Sequence, residues 1–373
     1  MTWTLGLYIA SRFLRIAVAA FLAVISLVVV VDLVELLRAN DEGQANFAEL
    51  FGLALLRAPS VSITAAPFTV LLAAMACFAW LARSAELVVT RAAGVSAWRI
   101  VLPAILTATL LGIGAFAVYN PVTAALARRA DALEERYFGR SSSSLSVAGG
   151  GIYLRQGTAD GQTVIRARRA SERVDRLEGV SLFLFGADDH QERRIEARAA
   201  VLGAGEWILT DARAWGIEAG GAGTGDALAA SLPEDHAVLR LPTNLTPEQI
   251  QESFAPPRTI AFWDLPGFID VLEQSGFSSL RHRMHWHVLL SAPLVFSAMV
   301  LVGAAFSMRH ARFGGLGFMA LGCVLTGFAY FFLADVTAAL GASGAVPVIL
   351  AAWGPPIAIM LFALALILHL EDG

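Results

Sequence analysis

"RSAELVVTRAAGVSAWR", residues 83–99, is a short polar stretch between two long uncharged ones. No charged residue occurs in residues 58–82 before it or in residues 100–127 after it. Each flank is longer than the ~20 apolar residues that a helix needs to cross a ~30 Å hydrocarbon core. The stretch itself is rich in helix-forming residues and reaches Gly94, which favours a short helix over a plain turn. We therefore predict two membrane spans joined by a helical loop.

The whole composition agrees with a membrane protein, because 57% of the residues are hydrophobic and only 16% are charged. No A-x-A-like cleavage site follows the first apolar run, so we interpret that run as a span and not as a signal peptide. Length and lack of charge predict six spans, although the strictly uncharged part of the first, residues 16–31, has only 16 residues. Their approximate bounds are residues 13–37, 58–82, 100–127, 284–308, 313–334 and 346–368.

The positions of the arginines predict the orientation, since cytoplasmic loops carry an excess of positive charge. Arginines occur before the first span, between the second and third, and between the fourth and fifth: Arg12, Arg15, Arg83, Arg91, Arg99, Arg309 and Arg312. We therefore expect the N-terminus and the loop at residues 83–99 to be cytoplasmic. The long insert after the third span is then expected on the outer side.

Every basic residue is Arg, and the chain contains no Lys. Codon usage in a GC-rich genome is the simplest explanation. The absence still excludes a phosphate-binding loop of the G-x-x-x-x-G-K-[ST] type and a Schiff-base enzyme, since both need a Lys. If the protein uses ATP, another chain must bind the nucleotide.

The insert has the composition of a soluble domain. Short runs with partial alternation, such as "VSLFLFG" and "EWILTDARAWGI", predict strands of a sandwich or jelly roll. We place this β domain at residues 128–262. Residues 263–283 are predicted to form an amphipathic connecting helix at the membrane surface, with Leu265, Phe268, Ile269 and Leu272 on one face.

Polar residues near the membrane surface offer three candidate sites. His282, His285 and His287 invite a metal hypothesis, but no accompanying carboxylate or cysteine pattern supports it, and interface anchoring explains them more simply. Asp32 and Arg38 near the first span, with Arg128 after the third, either anchor the helices or meet an anionic headgroup. A helix at residues 84–94 with Glu86 and Arg91 exposed suits docking of a separate ATPase.

Five stretches are characteristic and are spread over the chain: "SAELVVTRAAG", "VDLVELLR", "GIYLRQG", "NLTPEQI" and "PVILAAWGPP". In these stretches, and along essentially its whole length, the chain resembles the lipopolysaccharide-export permeases of the LptF/LptG (YjgP/YjgQ) family. "LEQSG" and "AAWGPP" favour the LptG branch. The resemblance implies an α-helical membrane protein with six transmembrane helices and a periplasmic β-jelly-roll domain between helices 3 and 4.

The implied domains are residues 1–127 with helices 1–3, the β domain, the connecting helix, and residues 284–373 with helices 4–6. The implied partners are a sister LptF-type permease, a dimeric LptB-type ATPase that binds ATP and Mg, and LptC/LptA-type jelly-roll proteins. Lipopolysaccharide is the implied cargo, and no nucleic acid is involved. The chain itself is expected to hold no cofactor and no metal, to catalyse no reaction, and to lie in the bacterial inner membrane.

The resemblance also implies site residues. An ATPase-coupling helix would use Glu86, Leu87, Arg91, Ala92 and Gly94. The lipopolysaccharide path would follow Asp32, Arg38, Pro67, Arg128, Phe328, Tyr330 and Phe331. The β-domain interior would be lined by Ile152, Leu154, Phe183 and Phe185. Asp32 and Asp131 stand where relatives have basic residues, and Ala85 separates the usual Ser-Glu pair.

Two rival functions stay open. The sister LptF-type role has the same architecture. A non-transporting envelope scaffold or receptor, anchored by the spans and binding through its β domain, belongs to a different class of protein. Two features favour transport: the polar rim at Asp32 and Arg38, and the helical loop at residues 83–99, because a scaffold needs no docking site for an ATPase.

Overall fold

The computed structural model describes residues 2–40, 45–84, 86–138, 145–148, 151–158, 161–170, 176–186, 190–203, 205–216, 233–243, 256–274, 278–308 and 316–372. The chain divides into two compact units. The helical unit contains Met1–Phe138, Arg258–Leu265 and Leu280–Gly373, and the β unit contains Gly139–Pro257 and Pro266–Ser279.

Long helices make up the helical unit, and six of them in the described residues are long and apolar enough to cross a membrane. The third spanning helix consists of α4, a π-helical segment and α5, and a short helix, α3, precedes it. The bounds are α1 Thr2–Ala39, α2 Phe47–Arg83, α3 Glu86–Ala92, α4 Ala97–Gly114, the π segment Ala115–Tyr119, α5 Asn120–Phe138, α6 Leu265–Gln274, α7 Leu280–Ser307, α8 Leu316–Ala342 and α9 Val348–Asp372. The six predicted spans are confirmed.

Several helices begin or end well outside the apolar runs that predicted them. The start of α2 is set by a capping box, in which Asn46 Oδ1 accepts from the Glu49 amide and Glu49 Oε2 accepts from the Asn46 amide, at 3.0 and 2.8 Å. The third span continues to Phe138. The insert therefore begins after that residue, whereas the sequence predicted a boundary at residue 128.

Helix α7 is the most enclosed helix of this unit. In its most apolar part 72% of the residues are buried, whereas the corresponding fractions are 17% in α1 and 11% in α8. Hydroxyl groups join α7 to its neighbours: Thr109 and Ser297 oxygens lie 2.8 Å apart, and Ser307 donates to the Met75 carbonyl at 3.2 Å. Helices in lipid associate through close packing and such hydrogen bonds, because lipid is as apolar as their side chains.

Glycines let the backbones approach at these crossings. A Cβ atom on Gly112 of α4 would lie 2.5 Å from Pro293 Cα of α7, and one on Gly303 of α7 would lie 2.8 Å from Ala74 Cβ of α2. No side chain fits in either space, so the positions of α2 and α4 against α7 depend on the missing Cβ atoms.

The β unit is built on an antiparallel sheet with eight described strands. They pair in chain order along the path β1-β2-β3-β5-β6-β7-β8, and β4 pairs with β5. A β domain between the third and fourth spans is therefore confirmed, and its described strands connect as a meander. The bounds are β1 Leu145–Ala148, β2 Gly151–Thr158, β3 Gly161–Ala167, β4 Arg169–Ala170, β5 Arg176–Gly186, β6 Gln191–Leu202, β7 Glu206–Gly216 and β8 Glu234–Pro242.

One face of the sheet carries the core of the β unit, with Trp207, Leu182 and Ile195 almost fully buried. Leu272 of α6 belongs to the same core, and Phe268 packs against it. The apolar face of α6 therefore covers the sheet. This corrects the prediction of a helix at the membrane surface, since amphipathic periodicity shows that a face is buried but not what buries it.

Strand pairing is interrupted at aligned positions across this sheet. Ladder pairing is missing in one row that contains Arg168, Gly179, Arg198, Asp211 and Ala237, and also between Ala167 and Val180 beside it. Gly179 and Asp211 have positive φ angles of 61° and 51°. We call this row the fold line.

At the fold line, the alternation of inward and outward side chains shifts by one position on each strand. On β5, Leu177 is buried before the line and Val180 after it. On β7, Leu209 is buried before the line and Ala212 after it. Successive strand residues point to opposite faces, so one extra residue per strand is required to keep the apolar side inward on both sides of the line.

The tight crossing of α4 and α7 leads to a stability prediction. Gly112→Ala is expected to lower the free energy of unfolding by about 1–3 kcal/mol, because its methyl group overlaps the Pro293 backbone. Gly114→Ala is the matched control in the same helix, since a Cβ there meets no atom within 4 Å. Thermal unfolding of the purified chain in detergent measures both variants. An equal midpoint for the two would contradict the close crossing.

Candidate functional site

The loop between the second and third spans folds as predicted into a short helix, α3. It ends at Ala92, and Gly94 with φ 80° turns the chain toward Ser96, which precedes α4. Positive φ strains any residue with a Cβ, so glycine is the suitable residue here. Leu87 is 7% exposed and belongs to the main core of the helical unit. This side chain anchors α3 to the spanning helices.

Polar contacts also connect α3 to α1. Tyr8 Oη donates to Glu86 Oε1 at 3.5 Å, and Arg12 Nη1 donates to Tyr8 Oη at 2.9 Å. The Arg12 guanidinium lies over the Trp80 ring of α2. Glu86 is half-buried and faces Tyr8, and its role in docking the ATPase stays a prediction.

The free surface of α3 is formed by other residues. Arg91, Ala92 and Gly94 are exposed, and Val89 has an exposed fraction of 68%. Val89 was not among the residues predicted for the coupling helix, because nothing in the local sequence shows that this apolar side chain is exposed. Its exposure on a helix outside the apolar spans offers a partner protein an apolar contact flanked by a positive charge.

At the opposite ends of α1, α2 and α5, charged side chains form a second candidate site. Arg57 Nη1 lies 3.7 Å from Asp32 Oδ1 and 3.7 Å from Glu134 Oε2. Asp32 is 8% exposed, whereas Arg38 is exposed. Asp32 was predicted as a site residue and Arg57 was not, because nothing in the local sequence shows which helix end lies against Asp32.

Arg128 has a structural contact. Its Nη1 donates to the Thr259 carbonyl at 3.2 Å, and the nearby Asp131 Oδ1 accepts from Arg258 Nη2 at 3.4 Å. These contacts tie α5 to the short segment that precedes α6. The side chain of Arg128 is exposed in spite of this bond.

A largely apolar cavity of about 280 Å³ lies within the helical unit. It brings together three residues that the resemblance implied for the lipid path: Pro67 of α2, and Tyr330 and Phe331 of α8. Phe328 does not line it but packs edge-on against Phe68, with ring centroids 5.3 Å apart. Further lining residues are Thr64, Ala115, Phe116, His285, Leu289, Ser291, Ala334, Asp335, Ala352 and Pro356.

The π segment forms part of this cavity and has unusual partners. Asn120 at its end accepts the Phe262 amide at 2.7 Å, and the Trp263 indole donates to the Ala117 carbonyl at 3.1 Å. Tyr119 donates to the Pro59 carbonyl at 3.1 Å. Short π-helical insertions are frequent at functional sites, since they free carbonyl groups and redirect side chains.

The histidines after α6 are part of α7. His285 lines the cavity, and His287 Nδ1 accepts from the Trp353 indole at 3.4 Å. Within the described residues, no group of three or more His, Cys, Asp and Glu side chains could hold a metal ion. The contacts of His285 and His287 are those of residues packed between helices.

The residues predicted to line the β-domain interior lie differently. The side chains of Ile152 and Leu154 are outside the described part. Phe183 and Phe185 are only partly buried and alternate with Leu182 and Leu184, which contact the core. Arg194 lies 5.7 Å from the Phe183 ring centroid. The lining of the β-domain interior by these two phenylalanines therefore stays a prediction.

The spanning helices, the short loop helix and the inserted sheet together define a multi-pass membrane permease with a β domain. A family model described as "Lipopolysaccharide export system permease LptF/LptG" matches residues 7–369. The chain belongs to this family and is therefore a permease component of the lipopolysaccharide export transporter of the inner membrane. No curated protein matches the chain.

Arg57 leads to a prediction for the charged site. Arg57→Ala is expected to destabilise the protein by about 2 kcal/mol, because Asp32 stays buried without its positive neighbour. The cost stays below the ~3–5 kcal/mol of a fully buried pair, since 32% of the Arg57 side chain is exposed. The exposed Arg38→Ala is the control, and thermal unfolding in detergent is the measurement. A larger loss for Arg38→Ala would refute the role of Arg57.

Proposed function

We propose that the chain is the LptG-type permease subunit of a transporter that extracts lipopolysaccharide from the inner membrane and passes it to a periplasmic bridge. The observation that supports this proposal most directly is the surface of α3. This helix is anchored by Leu87, and its Val89 and Arg91 side chains are exposed. A bound ATPase can move such a helix and, through it, the spanning helices to which it is attached. An LptF-type role has the same features, and "LEQSG" with "AAWGPP" favours the LptG branch.

The proposed orientation places the N-terminus in the cytoplasm and the β unit in the periplasm. The contact between Tyr8 and Glu86 supports it, because it places the N-terminal part of α1 and α3 at the same end of the helical unit. Arg12, Arg83 and Arg91 are then on the positive, cytoplasmic side. Arg57 with Asp32, and Arg128, are near the periplasmic ends of their helices.

The proposed partners follow from the exposed surfaces. A dimeric LptB-type ATPase binds α3 and supplies ATP and Mg, so this chain needs no cofactor and catalyses no reaction. A sister LptF-type permease covers the weakly buried faces of α1 and α8. LptC/LptA-type proteins pair with an edge of the sheet, where β8 leaves one side without a described strand.

The proposed lipid path uses the cavity at Pro67, Tyr330 and Phe331 for an acyl chain. Its walls are largely apolar and come from four spanning helices and the π segment, so a movement of α2 or α8 changes its volume. The envelope scaffold hypothesis assigns no role to α3 or to this cavity.

The ATPase contact is tested at Val89. Val89→Asp is expected to lower the yield of co-purified ATPase at least tenfold, because a carboxylate replaces an apolar contact at the centre of the proposed interface. Val238→Asp is the matched control, with a 56% exposed Val on β8. Equal ATPase yields from the two variants would refute the docking role of α3.

The cavity is tested by filling it. Ala334→Phe in α8 is expected to reduce photocrosslinking of lipopolysaccharide to the cavity several-fold, because the ring occupies space in the proposed acyl-chain site. Ala358→Phe is the control, because Ala358 is exposed on α9, another helix of the cavity wall, and does not line the cavity. Both variants are expected to keep the ATPase bound. Unchanged crosslinking in Ala334→Phe would show that the lipid takes another path.

A further inference from the structure

The fold line opens a trough on the β unit with a volume of about 650 Å³. This volume is within the range of about 300–1,000 Å³ that small-molecule sites occupy. Every residue of the fold line contributes to its wall. The remaining lining residues are Val180, Ser181, Glu196, Ala197, Ala212, Arg213, Asp235 and His236.

The backbone at the bottom of this trough is strained. Asp211 has a φ angle of 51°, which residues other than glycine rarely adopt. Arg198 Nη2 holds its carboxylate at 2.5 Å. Strained residues of this kind persist where the surrounding structure imposes them, and they concentrate at ligand sites.

Most charges in the trough are already paired. Arg198 pairs with Asp211, Arg213 Nε lies 2.9 Å from Asp235 Oδ1, and Glu196 pairs with Arg194. These pairs still offer free N–H donors and carboxylate lone pairs, since a guanidinium has five donors and a carboxylate about four acceptor positions. The floor is therefore electrically neutral and rich in both donors and acceptors.

Arg168 is the exception, because none of the described acidic side chains pairs with it. A Cβ on Gly179 would lie 2.9 Å from Arg168 Cδ and 3.1 Å from its Cγ. The glycine therefore makes room for the stem of Arg168 across the fold line. Among the described residues of the trough, this guanidinium is thus held at the wall without an acidic partner.

Aromatic rings continue the same face of the sheet. Phe183 follows Ser181 on β5 and Trp215 follows Arg213 on β7, each two residues farther along its strand. The Arg194 guanidinium lies 5.7 and 5.8 Å from their ring centroids. Amphipathic rings beside a field of donors and acceptors suit a ligand with both hydroxyl groups and apolar C–H faces.

We propose that this trough binds an acidic saccharide, with its hydroxyl groups on the paired side chains and its carboxylate or phosphate on Arg168. The paired side chains offer both donors and acceptors, which a sugar can use but a simple anion cannot. The guanidinium of Arg168 offers a positive charge, which an acidic group can use but a neutral sugar cannot. The proposal rests on the proposed function, because a glycolipid cargo brings a saccharide to this unit.

The full-length chain in detergent is titrated with trigalacturonate, glucose 6-phosphate, maltotriose and inorganic phosphate, and binding is followed by saturation-transfer NMR. The two acidic sugars are expected to bind at least about tenfold more tightly than maltotriose and inorganic phosphate, from one charge-assisted hydrogen bond. Comparing the two acidic sugars separates a carboxylate from a phosphate preference.

Arg168→Gln is expected to remove the preference for acidic sugars, and Gly179→Ala to weaken it by displacing the Arg168 stem. Arg240→Gln is the matched control, because Arg240 is exposed, pairs with Glu206 at 3.0 Å and does not line the trough. Near-wild-type thermal midpoints show that Arg168→Gln and Arg240→Gln are folded.

Three results overturn the proposal: equal binding of maltotriose and trigalacturonate, binding of inorganic phosphate as tight as that of glucose 6-phosphate, or no saccharide binding at all. Loss of a bound jelly-roll protein in Arg168→Gln, without saccharide binding, would assign the trough to protein docking instead. ATPase co-purification involves none of these residues, so the proposed transport role is tested independently.

Discussion

The close packing of α7 against α4 and α2 is the contact on which the helical unit depends. Lipid offers no hydrophobic gain when two helices meet, so their association relies on dispersion contacts and hydrogen bonds at short range. Gly112 and Gly303 permit the close approach of these helices, and a hydrogen bond between Thr109 and Ser297 joins α4 to α7. Because α7 also lines the cavity, the same crossings determine the cavity's shape.

The two ends of the helical unit each depend on a buried or half-buried arginine that joins several helices. Arg12 links α1 to the Trp80 ring of α2 and, through Tyr8, to Glu86 of α3. Arg57 of α2 lies between Asp32 of α1 and Glu134 of α5. An ionisable side chain near lipid costs free energy unless it has a partner, so separating such a pair is unfavourable. When one helix moves, the helix that holds the partner therefore moves with it.

In the β unit, the same apolar face of the sheet stays buried on both sides of the fold line. An extra residue on each strand at the fold line restores the inward direction, at the cost of positive φ angles at Gly179 and Asp211. The same interruption leaves polar side chains without ladder neighbours on the exposed face. Core formation on one side of the sheet therefore creates the trough on the other.

Local sequence was sufficient for the features that depend on a single segment. Long apolar runs with little charge predicted the six spans, and turn-separated alternating runs predicted the inserted β domain. "SAELVVTRAAG" predicted a short helix turned by Gly94. Each of these follows from the hydrocarbon thickness, strand periodicity or the conformational freedom of glycine, and none needs a distant partner. The resemblance to the LptF/LptG family was confirmed for the same reason, since motifs are local.

Contacts between distant segments decided the rest. Arg57 meets Asp32, Tyr8 meets Glu86, and the apolar face of α6 covers the sheet, because the fold brings these segments together. Alternation gave two equivalent faces for β5, and only the packing of Leu182 and Leu184 showed which face meets the core. Sequence thus determined which segments are helices, strands and spans, and tertiary structure decided which side chains meet, because burial and pairing depend on neighbours far away in the chain.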